Sequence, residues 1–139
     1  MIIYICNANR YRSPTAEFLH RKHSVKPAIS AGVYADDGLK IGDGAVEALL
    51  EIEDRARVES FANSFRSRNV DRLHISESDI LVAMDETIYA DLKRRFPKNS
   101  VMIIAPPKGI PDPALLGSKG PYLKTAKAIN SALKKATWC

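Results

Sequence analysis

The sequence contains few of the residues that build disulfide frameworks or metal sites. Among its 139 residues there are only two cysteines, Cys6 and Cys139, and three histidines. Two thiols at opposite ends of a chain do not form a secreted disulfide framework. The common zinc patterns, Cys-x-x-Cys and His-Glu-x-x-His, do not occur in the sequence. We therefore expect a protein without structural disulfides, a metal or a cofactor.

Long hydrophobic runs and a leader sequence are also missing. No apolar run reaches the roughly 20 residues that a membrane-spanning helix needs. The first residues, MIIYIC, are too few for a secretory signal, and no basic leader precedes them. We expect no membrane association and a cytoplasmic location, where thiols stay reduced.

The charge pattern gives little support to nucleic-acid binding. The formal net charge is +5, but the basic residues are scattered and no basic stretch alternates with aromatic residues. This pattern is more typical of a solvated surface than of a nucleic-acid footprint. A mildly basic protein also attracts phosphorylated substrates, so we expect a phosphorylated protein or a small phosphomonoester as partner rather than a nucleic acid.

Short apolar stretches alternate with amphipathic ones along a single domain that we assign to residues 1–139. Hydrophobic spacing predicts strands at residues 2–6, 27–31, 79–84 and 100–105, and helices at 14–23, 43–52, 86–96 and 121–136. Residues 35–44 are predicted to form a loop, and residues 54–78 have no clear period. The alternation predicts an α/β fold, a three-layer α/β/α arrangement in which a parallel sheet has helices on both faces. Ligands of such sheets bind beyond the carboxyl ends of the strands.

The clearest chemical pattern is the segment CNANRYRSP at residues 6–14. Cys6 ends the first predicted strand, while Ser13 and Pro14 suit the N-cap and the first position of a helix. A loop that joins a strand to a helix N-terminus directs backbone N–H groups and the helix dipole at one point, where an anion binds. The predicted phosphate-binding positions are Asn7, Ala8, Asn9, Arg10, Tyr11, Arg12 and Ser13.

The same segment can activate a nucleophile. The positive field of the loop would favour the thiolate of Cys6, and the guanidinium of Arg12 can bind two phosphate oxygens. Ser13 can donate a hydrogen bond to the sulfur, and Asn9 tolerates a left-handed backbone. These features favour phosphate chemistry over the simpler interpretation of Cys6 as a small core residue.

A candidate acid follows the last predicted strand. Asp112 lies between Pro111 and Pro113 in a stiff, extended loop. This loop should open at the same edge of the sheet as Cys6, where Asp112 could protonate a leaving oxygen. A Pro-Asp-Pro segment by itself is more often only a turn, so the prediction depends on its position.

These segments resemble the low-molecular-weight protein-tyrosine phosphatase family, whose signature is Cys-x-Gly-Asn-x-Cys-Arg-Ser-Pro near the N-terminus. The match continues in order through Ser30-Ala31-Gly32, the stretch from Asp79 to Glu86, and residues 110–113. The resemblance implies a four-stranded parallel sheet and a phosphocysteine intermediate. In that scheme Cys6 is the nucleophile, Arg12 stabilises the phosphoryl group and Asp112 acts first as acid and then as base. A hydrogen-bond network of Asn9, Ser13 and Ser30 would support the loop.

Several positions depart from the family pattern. Ala8 replaces a glycine, Tyr11 replaces the second loop cysteine, and Arg10 replaces a small or apolar residue. Ala114 and Leu115 stand where two tyrosines often line the substrate wall, and Phe65 aligns with a histidine of the support network. The sequence therefore predicts phosphatase chemistry more firmly than phosphotyrosine specificity.

Three alternatives stay open at this point. Arsenate reductases share the fold but need further cysteines, and only Cys139 is present. A non-catalytic phosphate-binding module would not need Cys6, Arg12 and Asp112 together. A phosphoarginine phosphatase would bring a cationic substrate towards Arg10, which like-charge repulsion disfavours. We expect inorganic phosphate as the product and a monomer or weak dimer.

Overall fold

The computed structural model describes residues 1–113 and 120–139. Its strands are β1 (Ile2–Cys6), β2 (Ala28–Gly32), β3 (Ile80–Ala83) and β4 (Ser100–Ile103). Its helices are α1 (Arg12–His20), α2 (Asp43–Ile52), α3 (Arg55–Ser64), α4 (Glu86–Arg95) and α5 (Gly120–Lys134), with a 3-10 turn at Val70–Arg72.

The four strands form one parallel sheet in the order β2-β1-β3-β4. β1 is a central strand, and all five of its residues are buried. A strand that is apolar on both faces needs cover on both sides, which is why Ile2–Cys6 has no polar alternation. The predicted α/β class with a four-stranded parallel sheet is confirmed.

Helices cover both faces of this sheet. α1 joins β1 to β2, whereas α4 joins β3 to β4 in the opposite direction across the sheet. Because such crossovers are right-handed, the two helices lie on opposite faces. α1 also packs against α2 and α5, and every residue of α1 is buried.

The strand register brings the functional loops to one edge. Cys6 pairs with Gly32, and Ile5 pairs with Ala83, so the chain leaves β1, β2 and β3 at the same level. Gly32 allows the loop after β1 to approach closely, because a Cβ there would lie 2.4 Å from the carbonyl oxygen of Asn7. This is the edge at which parallel α/β sheets bind ligands.

One local prediction was wrong, and one segment had been left without a prediction. Helix α1 begins at Arg12 with Tyr11 at the N-cap position and no side-chain cap, so Ser13 is not the cap and Pro14 is not the first helical residue. Residues 54–78, which showed no clear period, contain α3 and the 3-10 turn. Only Val58 and Phe61 of α3 are buried, and this apolar stripe is too narrow to give a clear helical pattern.

Two further observations concern the described ranges, 1–113 and 120–139. No helix in them is long and apolar enough to cross a bilayer. Nor do they contain three or more His, Cys, Asp or Glu side chains grouped so as to hold a metal ion.

Candidate active site

A small pocket opens at the carboxyl edge of the sheet, at the start of α1. It is lined by Cys6, Asn7, Ala8, Arg10, Tyr11, Arg12 and Asp112. The three predicted catalytic side chains therefore meet in one place, although Asp112 is 106 residues from Cys6 in the sequence. Asn9 and Ser13, which were also predicted to bind phosphate, are fully buried behind the loop.

Asn9 holds the loop in shape. Its backbone is left-handed, with φ of +56°, as its residue type allows. Its Nδ2 donates to Ser13 Oγ and Ser30 Oγ, both at 2.9 Å, and its Oδ1 accepts from the backbone N–H of Arg68 at 2.9 Å. One side chain thus ties the loop to α1, to β2 and to the segment after α3.

Ser13 links this network to the sulfur of Cys6. Its Oγ lies 2.9 Å from Cys6 Sγ and 3.2 Å from the carbonyl oxygen of Ala31. A hydroxyl has one proton to donate, and Asn9 already fills an acceptor position on this oxygen. When Cys6 is a thiol, Ser13 can accept from it and donate to Ala31; when Cys6 is a thiolate, the hydroxyl can donate to the sulfur.

Glu17 extends the network by one residue that the sequence did not single out. Its Oε1 accepts a hydrogen bond from Ser30 Oγ at 2.7 Å, and the residue is 9% exposed. Burial raises the pKa of this carboxyl above its usual range, while the Ser30 hydrogen bond and the charges of Arg68 and Arg21 oppose the rise. The signal available in the sequence was the spacing of Glu17, which is one helical turn beyond Ser13 on the same face.

Arg12 is 1% exposed and is held from one side only. Its Nη1 donates to Asp85 Oδ2 at 2.8 Å and to the carbonyl oxygen of Ile110 at 2.9 Å. Its Nη2 is buried without a hydrogen-bond partner in the described part of the chain, and lies 3.8 Å from Asp112 Oδ2. The guanidinium is thus fixed through Nη1, while Nη2 lies on the side of Asp112, which also lines the pocket.

Asp85 is the second residue that sequence reasoning missed. It lies two residues beyond the end of β3, at the carboxyl edge of the sheet. This position is the feature of the sequence that could have indicated a role in the site. Its Oδ1 accepts from the backbone N–H of Ile88 and so caps α4, which leaves Oδ2 for Arg12. An isolated bridge between Asp85 and Gly109 then brings the segment before Asp112 to the same edge.

Residues 1–137 match the model of the low molecular weight phosphotyrosine protein phosphatase family. The chain belongs to this family. It is therefore a phosphatase, a hydrolase of phosphoric monoesters, and arsenate reduction is not favoured. A comparison with curated proteins found no significant match.

Solved structures of this phosphatase family are similar over almost the full chain. A YwlE mutant from Bacillus subtilis is 26% identical with a TM-score of 0.77, and the match covers 96% of this chain and 93% of that one. YwlE arginine phosphatase from Geobacillus stearothermophilus is 23% identical with a TM-score of 0.75, covering 96% and 88%. Wzb from Vibrio vulnificus, in complex with benzylphosphonate, is 23% identical with a TM-score of 0.79, covering 96% and 94%.

The departures from the phosphatase pattern have different structural outcomes. Phe65, which aligns with the support-network histidine, is buried and packs against Phe61 at 5.5 Å between ring centroids. Phe65 cannot hydrogen-bond to Asn9 as a histidine could. The backbone N–H of Arg68, three residues further along the chain, donates to Asn9 Oδ1 instead. Ala114 and Leu115 lie outside the described residues.

Proposed function

We propose that this chain hydrolyses phosphomonoesters through a phosphocysteine intermediate, with Cys6 as nucleophile, Arg12 as phosphoryl-binding residue and Asp112 as acid and base. The observation that carries the proposal is the state of Arg12. A buried guanidinium whose Nη1 is fully used by Asp85 and Ile110, and whose Nη2 has no hydrogen-bond partner among residues 1–113 and 120–139, is oriented to bind an anion. Cys6 and Asp112 line the same pocket.

The first step transfers the phosphoryl group to sulfur. The thiolate of Cys6 forms an S–P bond while the P–O bond to the leaving group breaks, and Asp112 gives its proton to the leaving oxygen. Ser13 stabilises the thiolate by donation at 2.9 Å. Arg12 and the backbone N–H groups of residues 7–13 stabilise the charge on the equatorial oxygens.

The second step regenerates the enzyme. A water molecule attacks phosphorus, Asp112 accepts its proton, and the S–P bond breaks to release inorganic phosphate and the Cys6 thiolate. Atoms and charge balance without a cofactor. Because the nucleophile must stay reduced, the proposal also favours a reducing compartment such as the cytoplasm, and a monomer or weak dimer suffices because all three residues come from one chain.

Phosphotyrosine is the substrate that the mouth of the pocket fits better than phosphoarginine. The guanidinium of Arg10 lies 6.0 Å from the centroid of the Tyr11 ring, and its Nε donates to the carbonyl oxygen of Lys40 at 3.0 Å. A fixed cation at the mouth repels a second guanidinium and attracts acidic groups next to a phosphotyrosine. Although a structural neighbour is described as an arginine phosphatase, this feature supports an aryl phosphate.

Cys139 is poorly placed to resolve an adduct on Cys6, as arsenate reduction would require. Its Sγ lies 3.9 Å from His20 Nδ1, at the end of α1, whereas Cys6 lies at the start of that helix. A nine-residue helix is about 13 Å long. Burial also raises the pKa of the Cys139 thiol, which leaves it mostly protonated and weakly nucleophilic at neutral pH.

The test is hydrolysis of para-nitrophenyl phosphate across mildly acidic to neutral pH by the wild type, Cys6→Ser, Asp112→Asn and the thiol control Cys139→Ser. We expect no turnover with Cys6→Ser, a fall of roughly 10²–10⁴-fold with Asp112→Asn, and wild-type rates with Cys139→Ser. Acid quench and mass spectrometry should find phosphate on Cys6. Turnover by Cys6→Ser at the wild-type rate would overturn the mechanism.

The substrate class needs a separate comparison. Peptides of one sequence that carry either phosphotyrosine or phosphoarginine should differ in kcat/KM in favour of phosphotyrosine, and Arg10→Ile should narrow the difference. A wild-type preference for phosphoarginine would contradict the substrate assignment while leaving the roles of Cys6 and Asp112 intact.

A further inference from the structure

Two tyrosines from distant parts of the chain meet at the mouth of the pocket. The rings of Tyr11, in the phosphate-binding loop, and Tyr122, in α5, lie 5.1 Å apart between centroids with an interplanar angle of 41°. Tyr11 lines the pocket together with Cys6 and Asp112, so Tyr122 packs against a residue of the pocket wall.

Two glycines at the start of α2 make room for these rings. A Cβ on Gly42 would lie 2.2 Å from Cε1 of Tyr11, and a Cβ on Gly44 would lie 2.8 Å from Cδ1 of Tyr122. Any side chain at either position would have to displace a ring, so each ring packs directly on backbone. The backbone N–H of Gly42 also donates to the carbonyl oxygen of Arg10 at 2.8 Å. This hydrogen bond joins the start of α2 to the loop that contains Tyr11.

The surroundings of Tyr122 favour its neutral phenol. Burial raises the pKa of Tyr122, and its charge interaction and hydrogen bond with Tyr11, together with the charge of Asp112, raise it further. The guanidinium of Arg10 lies 6.0 Å from the Tyr11 ring centroid. The two rings offer adjoining aromatic faces, with a cation near Tyr11 and the charge of Asp112 acting on Tyr122.

We propose that Tyr11 and Tyr122 form one aromatic wall that selects substrates with a flat leaving group. The inference rests on the proposed function, because the direction of the leaving group follows from attack by Cys6. With phosphorus over the sulfur and the leaving oxygen towards Asp112, the group beyond that oxygen lies near the Tyr11 ring, because Asp112 and Tyr11 line the same small pocket. A planar aryl group can stack on the wall, whereas a puckered or branched group of equal size cannot.

This wall differs in origin from the one that the family resemblance implied. There, the aromatic residues follow the acid in its own loop, at the positions of Ala114 and Leu115. Here, one ring comes from the position of the second loop cysteine and the other from α5. Selection for a planar leaving group therefore depends on packing between the phosphate loop and α5.

The test compares the binding of phenylphosphonate and cyclohexylphosphonate, which match in size and headgroup but differ in planarity. Titration calorimetry on the wild type should give phenylphosphonate a Kd lower by roughly three- to tenfold.

The variants test which residues cause this preference. Tyr122→Leu and Gly42→Ala should bring the ratio of the two Kd values close to one. Tyr122→Phe keeps the ring and should keep the ratio of Kd values. If only the hydroxyl of Tyr122 mattered, this variant would lose the preference. Tyr89→Leu, in the separate groove between α4 and α5, is the matched control and should behave as the wild type.

The outcomes separate this inference from the proposed function. Equal affinity for both phosphonates in the wild type, or an unchanged ratio in Tyr122→Leu, overturns the wall whatever the catalytic rate. A ratio that follows the rings supports it even if turnover of phenyl phosphate fails, in which case only the mechanism is contradicted. Thermal melts of each variant establish that the folded protein is being titrated, and Tyr122→Phe and Gly42→Ala provide the same readout if Tyr122→Leu does not fold.

Discussion

Asp85 holds Arg12 and α4 with a single carboxylate. Its Oδ2 accepts from Arg12 Nη1 at 2.8 Å, and its Oδ1 accepts from the backbone N–H of Ile88 at 2.9 Å. The orientation of the Arg12 guanidinium is thereby coupled to the start of a helix on the far side of the sheet from α1. The two oxygens can be separated by mutation, because asparagine retains the capping oxygen and alanine does not.

Asp85→Asn should reduce activity by misaligning Arg12. Misplacement of a positioning group by about 1 Å costs roughly 10²-fold in rate, so we expect kcat/KM for para-nitrophenyl phosphate to fall about that far. Asp85→Ala should lose the same activity and a further ~1 kcal/mol of unfolding free energy, because the cap of α4 is also removed. Steady-state kinetics and urea unfolding measure the two effects. Equal stability of the two variants would show that capping by Asp85 contributes little.

Ser13→Ala should make Cys6 less reactive without unfolding the loop. The variant removes the hydroxyl 2.9 Å from the sulfur, and a hydrogen bond to a charged group contributes about 1.5–3 kcal/mol. Alkylation of Cys6 by iodoacetamide at mildly acidic pH, measured in a Cys139→Ser background, should slow by about tenfold or more. Ser64→Ala is the control, because that hydroxyl donates only to carbonyl oxygens of α3. Alkylation of Ser13→Ala at the control rate would argue against thiolate stabilisation by Ser13.

Asn9 should respond to substitution according to its backbone conformation. Its φ of +56° is tolerated by glycine and disfavours alanine by about 1 kcal/mol. Both Asn9→Gly and Asn9→Ala lose the bonds to Ser13, Ser30 and the Arg68 N–H, so both should be destabilised. Asn9→Ala should unfold at the lower urea concentration, and the difference between the two variants reports the left-handed backbone. If alanine is the more stable, the loop has changed conformation.

Glu17 should make stability depend on pH with a definite sign. Burial raises its pKa in the folded protein above the ordinary value of 4.5, so between these two values the folded state binds more protons than the unfolded state. The unfolding free energy of the wild type should therefore fall as pH rises through this window and then level off. Glu17→Gln keeps an oxygen that can accept from Ser30 but does not titrate. It should be more stable than the wild type above the window, and this advantage should shrink as pH falls towards 4.5.

Urea unfolding of both proteins at a series of pH values checks this expectation. Glu51→Gln, an exposed substitution on α2, is the control for the change of charge alone. If the unfolding free energies of Glu17→Gln and the wild type differ by the same amount at every pH, Glu17 is not a source of the pH dependence of stability.

Local sequence patterns predicted most of the secondary structure. β1 and α2 have the predicted bounds, and the other predicted helices and strands differ by a few residues at their ends. These segments bury wide apolar faces, which leave a clear period in the sequence. α3 escaped prediction because it buries only Val58 and Phe61, and the start of α1 was misplaced because Ser13 is used by Cys6 and Asn9 rather than as a cap.

The sequence by itself determined the loop at residues 6–14, because the spacing from Cys6 to Arg12 and the strand and helix around it are local properties of nine consecutive residues. The partners of that loop were decided only by the tertiary structure. Asp85 is 73 residues from Arg12, and Tyr122 reaches Tyr11 only because α5 packs against α1 and α2. Contacts at such separations follow from strand order and helix packing, which bring three strand ends and one distant helix to a single edge of the sheet.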